Sequence, residues 1–152
     1  MRVLIATDGS DFSKNAVEKF CDLFEVDSTT QFKLISVVEH IRPMVAEPFG
    51  ASNEHFRSVE EDLRKAALVS VEGYKEYIKT KFPDLNLDIK TEVSIGNVKK
   101  IIVDDAEQFE ADIVVVGSHG YGFVGRMLLG SVSDYVIHHA PCSVIVIRSE
   151  AE

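Results

Sequence analysis

The chain has 152 residues, of which 45% are apolar and 27% are charged, a composition typical of one folded domain rather than a disordered segment. A formal net charge of −9 argues against broad nucleic-acid binding, which depends on many basic groups. No apolar stretch approaches the ~20 residues of a membrane helix or has the form of a signal peptide. Cys21 and Cys142 lack metal-ligand spacing and are typical of reduced thiols. We therefore expect residues 1–152 to form one cytoplasmic domain.

Apolar runs and amphipathic stretches alternate along the first half of the chain. Residues 2–6 predict a buried strand, followed by a helix that Ser10 or Ser13 would cap. Residues 32–38 predict a second strand, and residues 39–52, which contain two prolines and a glycine, predict a long loop.

The alternation continues through the second half. Residues 53–81 predict a long helix, with one apolar stripe that we expect to be core: Phe56, Val59, Leu63, Ala66, Ala67, Tyr74 and Ile78. Alternating apolar residues from Leu85 to Val93 predict a third strand at or near a sheet edge. Asn97 begins another helix, 113–116 predict a strand, and 143–147 predict the last strand. The helix between those two strands would turn Val132, Tyr135, Val136 and His139 inward.

This βαβαβαβαβ order predicts an α/β fold, with a five-stranded parallel sheet between two helix layers. An edge position for strand 3 and a central one for strand 4 favour the strand order 3-2-1-4-5. In such a sheet, ligands bind beyond the carboxyl ends of the strands where the order reverses, here between strands 1 and 4. The segments that meet there are residues 6–11 and 117–131.

The segment 117–131 contains five of the nine glycines in the chain. Glycines allow a ligand to approach the backbone, and the helix that follows Gly130 begins with amides that attract anions. A phosphate site is therefore predicted without any need for net positive charge. The missing lysine disfavours a P-loop. Gly120, Gly122 and Gly125 match a dinucleotide-binding fingerprint, but the acidic residue expected downstream of it is missing.

A more specific pattern spans the same segment. Gly117 and Gly120 are followed after nine residues by Gly130-Ser131, which resembles the G-2x-G-9x-G-[S/T] nucleotide motif of the universal stress protein family. The N-terminal Ile5-Ala6-Thr7-Asp8-Gly9-Ser10 is similar to the first strand and loop of that family. The resemblance covers nearly the whole chain. It implies a flavodoxin-like or adenine-nucleotide-hydrolase-like α/β/α sandwich, a homodimer, ATP binding and a role in stress responses.

The resemblance also implies the residues of a nucleotide site. They are Ala6, Thr7, Asp8, Val37, Gly117, Ser118, His119, Gly120, Arg126, Gly130, Ser131 and Val132. Asp8 would lie by the ribose or by a phosphate-bound Mg²⁺ or Mn²⁺ ion, and the backbone of Val37 would hold adenine. Gly130, Ser131 and Val132 would bind phosphates, and Arg126 would neutralise one. Tyr121 is a departure, because many members have a basic residue there.

Simpler structural roles remain open for several of these residues. Asp8 would instead hold a turn or cap the first helix, and Arg126 would be a solvated loop cation. His119 has no accompanying nucleophile and acid in the sequence, and the adjacent His138 and His139 face different directions on a helix, which disfavours a shared metal. A receiver domain and a flavodoxin fit the residues around Asp8 less well.

Three hypotheses for function follow. The first is a cytoplasmic ATP-binding regulatory stress protein in which any turnover is slow. The second is an ATPase or nucleotidyl transferase, and the third is a partner-binding scaffold without nucleotide. We also expect a homodimer through the apolar last strand, Val144, Ile145, Val146 and Ile147, because an exposed apolar edge favours pairing with another chain. Neither nucleic acid nor membrane is an expected partner.

Overall fold

The computed structural model describes residues 1–41, 53–118 and 129–148. Strands and helices alternate along them, as the sequence predicts. The strands are β1 (Arg2–Thr7), β2 (Gln31–Val38), β3 (Asp88–Ile95), β4 (Ile113–Gly117) and β5 (Ser143–Ile147). The helices are α1 (Asp11–Leu23), α2 (Asn53–Lys81), α3 (Val98–Gln108) and α4 (Ser131–His139).

The five strands form one parallel sheet in the order β3-β2-β1-β4-β5, which confirms the predicted topology. Side chains from α1 and α2, such as Phe20 and Val71, join the core cluster on one face of the sheet. Side chains from α3 and α4, such as Ile102 and Val136, join the cluster on the other. The molecule is therefore a three-layer α/β/α sandwich, because a parallel sheet must bury both of its faces.

Local signals set several of the element boundaries. Ser10 caps α1, since its hydroxyl oxygen accepts the Ser13 amide at 3.2 Å, and Asn97 caps α3 in the same way. The expectation that β3 begins near Leu85 is wrong. It begins at Asp88, opposite Gln31, the residue at which its partner β2 begins.

The predicted core stripe on α2 is correct only for the second half of the helix. Ile78 is fully buried and Tyr74 packs against the core, whereas Leu63 is 46% exposed and Ala66 is also exposed. The predicted stripe missed Val71, which is fully buried. The helix has 29 residues and is about 43 Å long. The eight residues of β2 extend only about 26 Å, so the sheet cannot cover the whole helix.

Two side-chain expectations have different outcomes. Burial raises the pKa of the Cys21 thiol to about 11, as expected for an inert core cysteine. The prediction that His139 turns inward is wrong, because its exposed ring stacks on Tyr135, one turn earlier in α4. Among the described residues, no helix is both long enough and apolar enough to cross a membrane.

Candidate functional site

The candidate site lies where β1 and β4 end side by side. The two strands are paired from Val3–Ile113 to Ile5–Val115, and each continues by two residues, to Thr7 and Gly117. From this point, the chain leaves β1 toward β2 on one side and leaves β4 toward β5 on the other. Such a reversal opens a crevice at the carboxyl edge of a doubly wound sheet.

A tight turn after β1 holds Asp8 at the mouth of this crevice. The Asp8 side chain is exposed, and its Oδ1 accepts the Ser10 amide at 3.0 Å and the Ser10 hydroxyl at 2.6 Å. The next residue, Gly9, has a positive φ of 77°, which glycine adopts at little cost. Asp8 therefore holds the turn, the structural role left open by the sequence, and it also presents a carboxylate at the crevice.

Hydroxyl groups beneath the turn make it rigid. The Thr7 hydroxyl donates to the Ser13 oxygen at 2.8 Å, and the Ser13 hydroxyl donates to the Ser10 carbonyl at 2.9 Å. The Gly9 amide donates to the Thr7 oxygen at 3.1 Å. Thr7, Ser10 and Ser13 are all buried, and Ala6 is half-buried. Because their polar groups are paired, the end of β1 is fixed relative to α1.

The opposite wall of the crevice joins β4 to α4. The amide of Ser118 donates to the Ile147 carbonyl at 2.8 Å, and the Gly130 amide donates to the Ser118 carbonyl at 2.8 Å. The Ser133 hydroxyl adds a bond of 2.9 Å to the Gly130 carbonyl. These bonds place the start of α4 directly beside the end of β4. Sequence reasoning missed this role of Ser133. The only sequence feature that could have indicated it is its position three residues after Gly130.

The first turn of α4 is suited to an anion. Gly130 is the N-cap residue, and it has no side chain with which to satisfy the amides that follow. Ser131 is the first residue of the helix, and its side chain is exposed. Amides of Ser131 and Val132 lie at the positive end of the helix dipole. A phosphate bound there would replace the missing cap.

Val37 lies at the neighbouring end of β2. The Gln31 amide donates to the Met1 carbonyl at 2.9 Å, so alternate residues of β2 direct their backbone groups toward β1. Val37 is one of these residues, and it follows Ser36, whose partner Thr7 is the last paired residue of β1. In the Thr7–Ser36 pair, the Val37 N–H donates to the Thr7 carbonyl, so it is the Val37 C=O that faces the crevice side of β2 just where the pairing with β1 ends.

The structure thus brings together most of the residues that the sequence predicts for the site. Ala6, Thr7 and Asp8 lie on one side of the crevice and Gly117, Ser118, Gly130, Ser131 and Val132 on the other, with Val37 next to the first group. The predicted residues His119, Gly120 and Arg126 lie outside the described residues. Within the described residues, His, Cys, Asp and Glu side chains form no group of three that could hold a metal ion.

A parallel sheet whose strand order reverses between β1 and β4 defines a doubly wound α/β protein. The model of the universal stress protein family matches residues 1–148, and the chain belongs to that family.

Individual relatives agree over nearly the full length. A Staphylococcus haemolyticus protein named for the same family is 30% identical over 150 residues, which cover 97% of this chain and 84% of the relative. Universal stress protein UspA from Lactobacillus plantarum superposes with a TM-score of 0.80 at 26% identity and covers 97% of each chain. A family member from Arabidopsis thaliana, solved with AMP bound, superposes with a TM-score of 0.66 at 23% identity. The superposition covers 99% of this chain and 93% of the Arabidopsis chain.

Proposed function

We propose that this universal stress protein binds ATP as a regulatory ligand in the crevice between β1 and β4. One observation carries the proposal: the carboxylate of Asp8 and the uncapped first turn of α4 face the same carboxyl edge of the sheet. The AMP found in the Arabidopsis relative, which has the same fold, supports a nucleotide as the ligand. Membership in the family supports a role in stress responses, carried out by residues 1–152 as one domain in the cytoplasm.

In this proposal, the two walls of the crevice bind different parts of the nucleotide. The amides of Ser131 and Val132 and the hydroxyl of Ser131 hold phosphates, while the backbone of Val37 holds adenine. Gly117, Ser118, His119 and Gly120 line the path between them, and Arg126 neutralises a phosphate. The glycine loop and the helix terminus provide binding through backbone groups, so the net charge of −9 does not oppose it.

A divalent cation would accompany the phosphates. Magnesium and manganese ions prefer oxygen ligands, and Mg²⁺ in nucleotide sites is held by one or two carboxylates together with the phosphates. Asp8 fits that pattern as a single exposed carboxylate. Its Oδ1 already accepts two hydrogen bonds from Ser10, so the ion would be held chiefly by the nucleotide.

The described part of the crevice favours binding over catalysis. Its side chains include the carboxylate of Asp8 and several hydroxyls, and those of Thr7, Ser10 and Ser13 are engaged in the turn. Among these side chains, the Asp8 carboxylate alone could act as a general base, and its Oδ1 already accepts two hydrogen bonds from Ser10. We therefore propose a nucleotide-binding module whose turnover, where it occurs, is slow.

Calorimetry with Mg-ATP on the parent protein and on Gly130→Ala tests the proposal. Gly130 has a φ of −61°, which alanine tolerates, so the added methyl group would obstruct the ligand without straining the backbone. Gly73→Ala is the matched control, because no atom lies within 4 Å of the added Cβ. Weaker binding in Gly130→Ala alone supports the site. If Gly130→Ala binds as the parent does, or if the parent gives neither heat nor a thermal shift, the proposal fails and the scaffold hypothesis is favoured.

A further inference from the structure

The first turns of α3 and α4 lie at the same edge of the sheet as the candidate site. Each helix follows the carboxyl end of a parallel strand, α3 after β3 and α4 after β4, so both helices begin at this edge. The two helices pack against each other, and side chains of both join the core cluster on one face of the sheet. Lys99, in the first turn of α3, therefore lies on the side of the crevice that α4 forms.

The Lys99 side chain reaches across to α4. Its ammonium lies over the ring of Tyr135, 6.0 Å from the ring centroid. Tyr135 comes four residues after Ser131, so these two residues share one side of α4. His139 lies one turn further along, and its ring stacks on that of Tyr135 with 3.9 Å between centroids, which covers the face directed toward the end of the helix. The ammonium of Lys99 is left with the opposite face, which is directed toward Ser131.

The protein does not neutralise the charge of Lys99. Its half-buried side chain makes a cation–π contact with Tyr135, and in the described part of the chain no carboxylate lies within ion-pair distance of its ammonium. Asp134, the acidic residue in the first turn of α4, lies 3.9 Å from His138 instead. The chain has 25 acidic and 16 basic residues, so a lack of acids does not explain an unpaired lysine.

The surroundings of this ammonium favour an anion. The first turn of α3 has no acidic residue, so the helix dipole there opposes the charge of Lys99 rather than stabilising it. The uncapped amides of Ser131 and Val132 contribute a second positive potential from the start of α4. A negatively charged group between the two helix starts would compensate both.

We propose that Lys99 binds a phosphate group of the nucleotide at the first turn of α4. The inference rests on the proposed function and adds a cation from a helix that the glycine motif does not include. The amides of α4 orient the phosphate through hydrogen bonds, whereas lysine supplies a full positive charge. Tyr135 holds the ammonium beside the start of α4, and the flexible lysine stem lets it turn from the ring to the phosphate.

Calorimetry with Mg-ATP and with adenosine tests the inference, because adenosine has the base and the ribose but no phosphate. Lys99→Ala should weaken the binding of Mg-ATP about tenfold, reduce its dependence on salt concentration and leave adenosine binding unchanged. Lys99→Arg retains a cation and should keep most of the affinity. Lys100→Ala is the matched control, because it removes the same charge from the adjacent, exposed residue of α3. It should bind Mg-ATP as the parent does.

The possible outcomes separate this inference from the proposed function. If Lys99→Ala binds Mg-ATP as the parent does, the contact with Tyr135 is structural only and the inference is wrong. Equal weakening in Lys100→Ala would indicate a general effect of charge, and equal weakening of adenosine would indicate a distorted crevice; either result overturns the inference. A parent that does not bind Mg-ATP overturns the proposed function itself. Thermal melting of each variant verifies that the fold is retained.

Discussion

The ammonium of Lys33, on β2, forms an ion pair with the carboxylate of Asp105, on α3, in the interior between the sheet and the helix. Lys33 also lies 2.8 Å from Glu92 on β3. Asp105 is 6% exposed, and its second oxygen, Oδ2, is buried without a hydrogen-bond partner among the described residues. Burial raises the pKa of Asp105, and the bond from Lys33 opposes that rise.

Lys33→Met should therefore make the stability of the protein depend on pH. Without the ammonium, the folded-state pKa of Asp105 rises further above its unfolded value, so the carboxyl binds a proton more readily in the folded state. Stability is then retained at low pH and lost as the pH rises through the folded-state pKa. We expect a loss of about 3 kcal/mol at pH 8 and a smaller loss at pH 5, measured by urea unfolding.

The control for this prediction is the double variant Lys33→Met/Asp105→Leu. It removes both buried charges, so it should recover much of the stability and lose the added pH dependence. Equal destabilisation of Lys33→Met at pH 5 and pH 8 would show that Asp105 does not take up the proton.

Gly9→Ala should destabilise the turn that follows β1. The φ of 77° at this residue costs an L-residue about 1–2 kcal/mol, and the added Cβ would lie 3.0 Å from the Ser70 Oγ. Adding Ser70→Ala to the same chain removes the contact but not the cost of the positive φ, so recovery should be partial. Urea unfolding of the single and double variants measures both contributions, and full recovery would contradict a backbone cost.

Two substitutions of Asp8 should separate its role in the turn from its role as a charge. Asp8→Asn keeps an oxygen that can accept the bonds from Ser10, so its unfolding free energy should match the parent. Asp8→Ala removes both bonds and should lose about 1 kcal/mol. Both variants should bind Mg-ATP more weakly than the parent in calorimetry. Parent-like affinity in Asp8→Asn would exclude the charge from ligand binding.

We propose that β5 is the dimer interface, because the two edges of the sheet differ in charge. Edge strand β3 has Asp88, Lys90 and Glu92, and charged residues on an edge oppose pairing with another chain. Edge strand β5 has the uncharged sequence Ser-Val-Ile-Val-Ile. Val146→Lys should therefore shift a dimer to a monomer in light scattering, and Lys90→Ala on the opposite edge should not. Dimers in both variants would place the interface elsewhere, and circular dichroism verifies folding.

The sequence predicted the fold well where the signal is local. Short apolar runs, such as residues 113–116, and a cap such as Ser10 depend on neighbouring residues, and both predictions are confirmed. The predicted burial of the α2 stripe was correct only in part. Helical periodicity shows which side of a helix is apolar but not how far the sheet extends beneath it. The prediction that His139 points inward was wrong for a related reason: its ring stacks on Tyr135 of the same helix.

The residues in and around the candidate site also differ in whether a local sequence pattern could predict them. The glycine spacing predicted an anion-binding loop before α4, because that property belongs to the backbone of one short segment. The contact of Glu60 with the Ile41 amide, beside this site, gave no such signal. Glu60 lies among several charged residues on α2, and only the overlap of that helix with the end of β2 brings it to Ile41. Sequence reasoning likewise missed Ser70, which lies on a helix distant in the chain and leaves so little room at Gly9 that an added Cβ would come within 3.0 Å of its Oγ.

Composition, periodicity and motif spacing were enough to establish an α/β sandwich, its strand order and the segments that meet at its carboxyl edge. These properties follow from local backbone preferences and from the requirement that a parallel sheet bury both faces. Tertiary packing alone decided which distant segments come together: it pairs Lys33 with Asp105 and Glu60 with Ile41, and it brings Ser70 close to Gly9. These arrangements depend on helix length, strand register and burial, which no single stretch of sequence encodes.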